Sequence, residues 1–299
     1  MSSLTKVAIA GSTGNLGSVV LEKVLEAGFD VTVLTRQGGG HSFPPSVKVA
    51  EVDYDSLDSL TNALQGQDAV VSTIASAALS KQLLLVEAAV KAGVKRFIPS
   101  EFGSNTVHPK TSQLPSYADK VAIRKALEKE AEAGGITYTV VINGPFLDWG
   151  LQNGFVANVK ARRFTLWNGG DQLFSATTLA TIARAVAGVL KHPEETKNRA
   201  VYVQDAAVSS NQLLELGKKA TGSDDWNVAH ASLDDHVNQA WEELRKPQPN
   251  PAKFVTNFIM AAIWGEGYGS RFEKLDNELL GIEEMKEEDL LALVTKLAN

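Results

Sequence analysis

Residues 6–17 read KVAIAGSTGNLG, and this stretch decides the fold of the chain. The apolar residues before the first glycine predict a short buried strand, and an apolar helical period begins near Leu16. Between them, Gly11, Gly14 and Gly17 let the backbone turn tightly, approach a pyrophosphate and bring the helix close to the strand. Glycines also occur in ordinary strand-to-helix turns, but their position here favours a dinucleotide site at a helix N-terminus.

Strand-like and helix-like stretches alternate through the first half of the chain. Strand patterns fall at 31–34, 47–49, 69–74, 95–98 and 138–142, and helical patterns at 16–27, 56–64, 81–92 and 119–133. The strands are rich in Val and Ile and lack polar alternation, which is typical of a parallel sheet covered on both faces. We therefore predict an α/β fold of the Rossmann type, a doubly wound parallel sheet that binds ligands beyond the carboxyl ends of its strands.

The pattern loosens after about Pro145, where a second region begins. Helical patterns recur at 179–190, 211–219, 233–244, 252–264 and 284–297. We predict an NADP-binding Rossmann domain over 1–150, completed by parts of 175–205, and a smaller, mostly helical substrate-binding region over 151–299. The boundary between them is expected to be discontinuous.

Composition narrows the classes of function. The chain contains no cysteine, which excludes disulfides, thiolate catalysis and cysteine-ligated metals and fits a reducing compartment. Its net charge of −6 disfavours broad electrostatic binding to nucleic acid or anionic lipid. The apolar runs are too short for a membrane span or a signal peptide, and the five histidines lack metal-ligand spacing. We expect a globular, cytoplasmic protein without a metal, monomeric or homodimeric, that binds neither nucleic acid nor membrane.

Four segments occur in an order that identifies a resemblance. They are GSTGNLG at 11–17, RFIPSEFG at 96–103, KVAIR at 120–124 and NGPF at 143–146. As a set they resemble the NmrA-like, isoflavone-reductase-like family of atypical short-chain dehydrogenases. The resemblance implies an enzyme that uses NADPH and NADP+ to reduce a small aromatic or polyketide-like secondary metabolite at a carbonyl, an enone or a benzylic ether. It leaves an alternative open, because NmrA-type regulators bind the dinucleotide without turning it over.

The end of the second strand indicates the choice of cofactor. The segment VTVLTRQ at 31–37 lacks the carboxylate that binds the ribose of NAD, and Arg36 instead offers a planar cation suited to a 2′-phosphate. NADPH is therefore favoured over NADH, unless Arg36 is simply a solvated residue. Plant members of the family carry a lysine a few residues later; here glycines follow, and His41 or Ser42 is the candidate replacement.

Further cofactor contacts follow from the resemblance. Asp53 resembles an acid that lies near the adenine, although an aspartate there also suits a turn before a helix. The other implied cofactor-binding residues are Thr13, Asn15, Leu16, Thr73, Ile74, Ala75, Arg124, Asn143 and Phe146.

Lys120 is the candidate catalytic residue, because its place in KVAIR matches the catalytic lysine of the family. Arg124 lies one helical turn later, so the repulsion between two cations must be met by an anion, for which we predict the phosphate or the ribose hydroxyls of the cofactor. Like charge and burial both lower the pKa of a lysine toward a value useful for proton transfer. From composition alone, a solvated lysine is the simpler interpretation.

Four residues are candidates for the substrate pocket: Phe102, His108, Tyr117 and Trp149. Tyr117 precedes Lys120 by three residues, whereas ordinary short-chain dehydrogenases separate the pair by four, so we assign it a wall or packing role. Aromatic residues of the second half are individually expected in the core, and together they are expected to form an apolar pocket that excludes water from the reaction.

Overall fold

The computed structural model describes residues 4–298, and within them seven parallel strands form the main sheet, in the order β3-β2-β1-β4-β5-β6-β9. The strands are β1 Lys6–Ala10, β2 Asp30–Arg36, β3 Lys48–Val52, β4 Ala69–Ser72, β5 Arg96–Ile98, β6 Thr137–Ile142, β7 Arg163–Trp167, β8 Phe174–Ala176, β9 Arg199–Tyr202, β10 Ala206–Val208 and β11 Asn227–Ala231. The helices are α1 Asn15–Glu26, α2 Leu57–Leu64, α3 Gln82–Lys91, α4 Pro109–Ser112, α5 Ala118–Glu132, α6 Leu147–Gln152, α7 Leu179–Lys191, α8 Ser210–Thr221, α9 Leu233–Leu244, α10 Val255–Trp264 and α11 Glu287–Ala298. The predicted α/β, doubly wound fold is confirmed.

Both faces of the main sheet are covered because successive side chains of β1 point in opposite directions. Val7 and Ile9 join a core with α1 and α7, whereas Ala8 and Ala10 join a second core with α2, α3 and α5. Continuous apolar strands are thereby buried on both sides, as their composition predicts.

The glycine-rich turn lies where the order of the strands reverses. β1 pairs with β2 on one side and with β4 on the other, so the chain that follows β1 emerges between two strand ends. Crevices of this kind, beyond the carboxyl ends of parallel strands, are the usual ligand sites of open α/β sheets.

The second half of the chain adds a core of its own and returns to the main sheet. β9 pairs in parallel with β6, and α7 packs against α1. Another core gathers side chains of α6, α8, α10 and α11. Short strands complete this region: β7 pairs in parallel with β11, and β8 pairs antiparallel with β10. None of the helices in residues 4–298 combines the length and the apolar character that a membrane crossing requires.

Candidate functional site

The turn between β1 and α1 admits only glycine at two of its three glycine positions. Gly11 has a φ of +84°, and a Cβ there would lie 2.7 Å from the backbone carbon of Thr73. A Cβ on Gly17 would lie 2.0 Å from the carbonyl oxygen of Gly11. Gly14 differs, because a Cβ there would meet the carbonyl oxygen of Gly11 at an ordinary 3.4 Å. Packing within the protein therefore requires glycine at positions 11 and 17. It does not require glycine at position 14, where the reason for a glycine lies elsewhere.

The N-terminus of α1 is suited to an anion. Gly14 is the N-cap and has no side chain to accept a hydrogen bond from the first amides of the helix. Within Asn15–Glu26, the first turn carries no acidic side chain. The free amides and the positive end of the helix dipole are thus left for a negatively charged ligand.

A cavity of about 600 Å³ opens in front of this helix end, at the carboxyl ends of β1, β2 and β4. Its volume is that of a typical small-molecule site. Eight of the sequence-predicted cofactor residues line it: Gly11, Thr13, Gly14, Arg36, Asp53, Thr73, Ile74 and Ala75. Among the described residues, Asn15, Leu16 and Gly17 lie outside this lining, and Leu16 and Gly17 are buried residues of α1.

Basic side chains reach the cavity from three segments. Arg36 ends β2, His41 lies in the following loop, and Lys81 comes from the 3₁₀ turn Ser76–Lys81 after β4. Lys81 forms an ion pair with Asp55, which also lines the cavity. Ser42, the other candidate replacement for the lysine of plant relatives, lies outside the lining that residues 4–298 form. Lys81 was not predicted from the sequence, where its only signal was a cation at the start of the third helical pattern.

Asp53 and Tyr54 form the wall beside Arg36. Asp53 Oδ1 accepts the backbone amide of Asp55 at 2.9 Å, so this carboxylate makes the turn and lines the cavity at once. The Tyr54 hydroxyl donates to the carbonyl oxygen of Leu34 at 3.2 Å. Burial raises the pKa of Tyr54 to about 12, so its hydroxyl stays neutral next to the Arg36 guanidinium.

Lys120 lies on α5, close to the turn that follows β5. Its Nζ donates to the carbonyl oxygen of Glu101, and a Cβ built on Gly103 would lie 3.8 Å from that nitrogen. The residue as a whole is half-buried, but its amine is enclosed. Burial lowers the pKa of Lys120, and the negative charge of Glu101 opposes that shift. The amine is therefore a better proton donor than a solvated lysine.

An anion of the protein itself, Glu101, faces Lys120 and Arg124. Glu101 is 2% exposed, and both cations act on its carboxylate. Arg124 itself donates to Glu128 Oε1 at 3.1 Å and to the carbonyl oxygen of Thr106 at 3.3 Å. The described cavity lining includes neither Lys120 nor Arg124, so a cofactor contact of Arg124 stays a prediction.

A hydrogen bond connects the cavity wall to the Lys120 segment. Ser100 Oγ donates to the carbonyl oxygen of Ile74 at 2.9 Å, and the Ser100 amide donates to Oε1 of the buried Gln82 at 2.9 Å. Ile74 lines the cavity, and Ser100 directly precedes Glu101. The turn that follows β5 therefore lies between the cavity wall and Lys120.

Asn143 and Phe146 lie on the Lys120 side of the site. The backbone N–H of Asn143 donates to the carbonyl oxygen of Gly103 at 3.3 Å. The side-chain Oδ1 of Asn143 is buried and accepts no hydrogen bond from residues 4–298. Phe146 is half-buried against the core of α1 and α7. In the described chain, neither residue lines the cavity.

The substrate candidates divide into two groups. Phe102 and Tyr117 are buried close to Glu101; the Tyr117 hydroxyl donates to Ser104 Oγ at 2.8 Å, and burial raises the pKa of that hydroxyl. His108 caps α4, where its ring accepts the amide of Lys110 at 3.2 Å. Trp149 lies in α6, with its ring centroid 6.4 Å from that of Phe155.

The aromatic residues of the second region pack around Trp264. Its ring lies 5.9 Å from Phe155, 6.2 Å from Trp167 and 5.8 Å from Phe174. The expected roles of these rings as separate core residues agree with this packing. The indole N–H of Trp264 is buried and finds no acceptor within the described chain.

Comparison with known proteins identifies relatives over nearly the whole length. A sequence model of the NmrA-like family matches residues 3–228. The oxidoreductase aprR of Aspergillus flavus is 32% identical over 299 residues, 97% of this chain and 99% of that protein. The oxidoreductase poxI of Penicillium oxalicum is 31% identical over 304 residues, 98% of this chain and 94% of that protein.

Solved structures with the same fold contain bound dinucleotide. AtPrR2 with NADP+ and (+)pinoresinol superposes with a TM-score of 0.74 and 21% identity, covering 99% of this chain and 100% of AtPrR2. The binary complex of Vitis vinifera leucoanthocyanidin reductase with NADPH superposes with a TM-score of 0.75 and 20% identity, covering 98% and 99%. At these identities the likeness is one of fold.

Proposed function

The chain belongs to the NmrA-like family, and on that premise we propose that it is an NADPH-dependent oxidoreductase that reduces a small aromatic or polyketide-like molecule. One observation carries the proposal: a helix N-terminus without a capping side chain or an acid faces a cavity with Arg36 and Lys81 in its wall. Relatives named as oxidoreductases and a shared fold with NADP-bound reductases support it.

The residues of the cavity fit this cofactor. The amides at the start of α1 and the backbone from Gly11 to Gly14 would hold the pyrophosphate. Arg36 would bind the 2′-phosphate, since the end of β2 offers a guanidinium in place of the carboxylate that suits NAD. Lys81 adds a cation to the cavity wall, and the loop after β2 offers His41 in place of the lysine of plant relatives. Asp53 and Tyr54 would line the adenosine side.

Lys120 would supply the proton. When bound, the reduced cofactor provides a hydride from its nicotinamide ring. The substrate oxygen gains negative charge as its carbon is reduced, and the enclosed amine of Lys120 donates a proton to that oxygen and becomes neutral. The carbonyl oxygen of Glu101 holds this amine in position. Solvent then restores the proton to Lys120.

The substrate would enter on the Lys120 side, between the main sheet and the second region. We assign the dinucleotide to residues 1–150 with parts of 175–205, and the substrate chiefly to 151–299. An aromatic substrate is supported by AtPrR2, which binds pinoresinol. A carbonyl, an enone and a benzylic ether all develop negative charge on oxygen during reduction, so Lys120 would serve each of them.

Oxidation of NADPH, followed by absorbance, tests the proposal. The assay uses a panel of aromatic ketones, enones and benzylic ethers, with the wild type and Lys120→Ala side by side and NADPH binding measured by calorimetry. Turnover by the wild type and its loss in Lys120→Ala, with unchanged binding, are expected. NADPH binding without turnover of the panel would contradict the reductase proposal and favour a dinucleotide-binding regulator.

A further inference from the structure

Glu101 is a buried carboxylate that the proposed cofactor contacts do not use. It is 2% exposed, and its Oε2 accepts the hydroxyl of Thr106 at 2.8 Å. Its Oε1 is also buried and accepts no hydrogen bond from any residue that the structure describes. A carboxylate with an unpaired oxygen is unfavourable in the interior unless nearby charge compensates it.

The charged and titratable groups that face Glu101 come from two adjoining segments. Lys120 and Arg124 project from α5, and Tyr117 ends the 3₁₀ turn Pro115–Tyr117. Tyr117 is bonded to Ser104, and Arg124 already pairs with Glu128. Among the described residues, the carboxylate that acts on Lys120 is that of Glu101. The two groups are therefore each other's main charge partners.

The backbone of the turn fixes this pairing. The Glu101 amide donates to the carbonyl oxygen of Pro99 at 2.8 Å. The next residue, Phe102, has a φ of +23°, in the left-handed region that residues with side chains rarely adopt. The turn directs the Glu101 carbonyl oxygen to the Lys120 amine, so one residue holds that amine with its backbone and acts on it with its charge.

We propose that Glu101 is a positioning residue, whose carboxylate keeps the proton on Lys120 until the substrate oxygen takes it. This inference rests on the proposed function, in which Lys120 donates that proton. Burial raises the pKa of Glu101 and lowers the pKa of Lys120, and the opposite charge of each group opposes the shift of the other. With the carboxylate ionised, the proton stays on the amine. Without it, burial favours the neutral amine.

Glu101→Gln tests the role of the charge, because the amide has nearly the same shape and its oxygen can still accept the Thr106 hydroxyl. Glu128→Gln is the matched control: it removes a carboxylate that contacts Arg124 on the exposed side of α5. The pKa of the Lys120 amine is measured directly, by NMR on protein with ¹³C-labelled lysine, assigned with Lys120→Arg. We expect Glu101→Gln to lower the pKa of Lys120 by about 1 to 3, and Glu128→Gln to leave it unchanged. An unchanged pKa of Lys120 in Glu101→Gln would overturn the inference.

The pH profile of kcat separates charge from structure. Protonated Lys120 is the active form, so kcat falls as pH rises through the pKa of Lys120. In Glu101→Gln this fall moves to lower pH, and activity recovers as the solution is acidified. Glu101→Asp keeps the charge, so we expect its kcat to fall at the same pH as that of the wild type. This variant provides the test if the Gln variant fails to fold. A kcat lowered by the same factor at every pH in Glu101→Gln would indicate a purely structural residue and overturn the inference.

The NMR measurement does not depend on turnover, so the two proposals fail separately. A lowered pKa of Lys120 in Glu101→Gln, together with unaltered turnover in Lys120→Ala, would support the charge pairing and contradict the proton role of Lys120.

Discussion

Gly14 and Gly17 are three residues apart, and we expect their substitution by alanine to separate binding of the cofactor from stability. At Gly17, a Cβ would lie 2.0 Å from the Gly11 carbonyl oxygen, 2.7 Å from Thr73 Oγ1 and 2.8 Å from the Gly11 backbone carbon. Two of these atoms are backbone and cannot rotate away. Overpacking costs about 1–3 kcal/mol, and we take the upper end. Because Gly17 lies inside α1, better helix propensity returns about 1 kcal/mol, which leaves a net loss of about 2 kcal/mol.

At Gly14 the same methyl group fits the protein. The nearest atom would lie 3.4 Å away, and a φ of −78° with a ψ of 172° suits any residue. Alanine is a poorer N-cap than glycine by about 1 kcal/mol at most, whereas the lower chain entropy of the unfolded state returns about 0.4–1 kcal/mol. The free energy of unfolding should therefore change by less than about 1 kcal/mol. The methyl group instead enters the cavity at the helix N-terminus, where the pyrophosphate would lie.

The assay combines urea unfolding with calorimetric titration of NADPH. Gly17→Ala should lower the free energy of unfolding by about 2 kcal/mol, or Tm by about 4–8 °C. Gly14→Ala should keep the wild-type stability and bind NADPH at least tenfold more weakly, about 1.4 kcal/mol. Wild-type affinity for NADPH in Gly14→Ala, or a stability loss there equal to that of Gly17→Ala, would refute the reasoning.

Two further outcomes are expected. Arg36→Ala should weaken NADPH binding by about 10- to 100-fold, the effect of a hydrogen bond to a charged group, and should weaken NADH binding far less. Lys81→Ala should act in the same direction. Equal losses of affinity for both cofactors in titrations would contradict the proposed 2′-phosphate contacts. At Asp68, burial raises the pKa, but hydrogen bonds from Lys95 and from the backbone of Lys6 and Thr5 outweigh it and hold the pKa well below its usual range. A carboxyl group whose pKa is lowered by folding stabilises the protein at pH values above its pKa in the unfolded state, about 3.9. This stabilisation is lost as the pH falls through the pKa of the folded state. Asp68→Asn should thus lower Tm at pH 7 and approach the wild type below about pH 4; a difference in Tm that stays constant with pH would contradict this.

Local patterns were sufficient to predict the main sheet. The strand pattern at 31–34 lies within the observed β2, and the glycine spacing predicted the turn between β1 and α1. Both signals lie within a few neighbouring residues. The short strands of the second region carry weaker signals. β8 and β10 have three residues each and are defined by pairing across the chain, such as Ala206 with Ala176.

The candidate site was predicted in part for the same reason. Arg36 follows directly from the end of a strand, and the structure brings it to the cavity. Lys81 and Asp55 meet although β2 and β1 separate β3 from β4 in the sheet, and no local pattern encodes that contact. Glu101 was visible in RFIPSEFG, but its role as the anion beside Lys120 depends on the turn that follows β5.

Transfer of deuterium from NADPH labelled at C4 of the nicotinamide tests the central claim most directly. The wild type reduces a substrate found in the panel, with each of the two C4-labelled forms of NADPH in turn, and mass spectrometry locates the label in the product. We expect one of the two forms to place deuterium on the reduced carbon. Consumption of NADPH without deuterium on that carbon from either form would contradict the assignment of this chain as a hydride-transferring reductase.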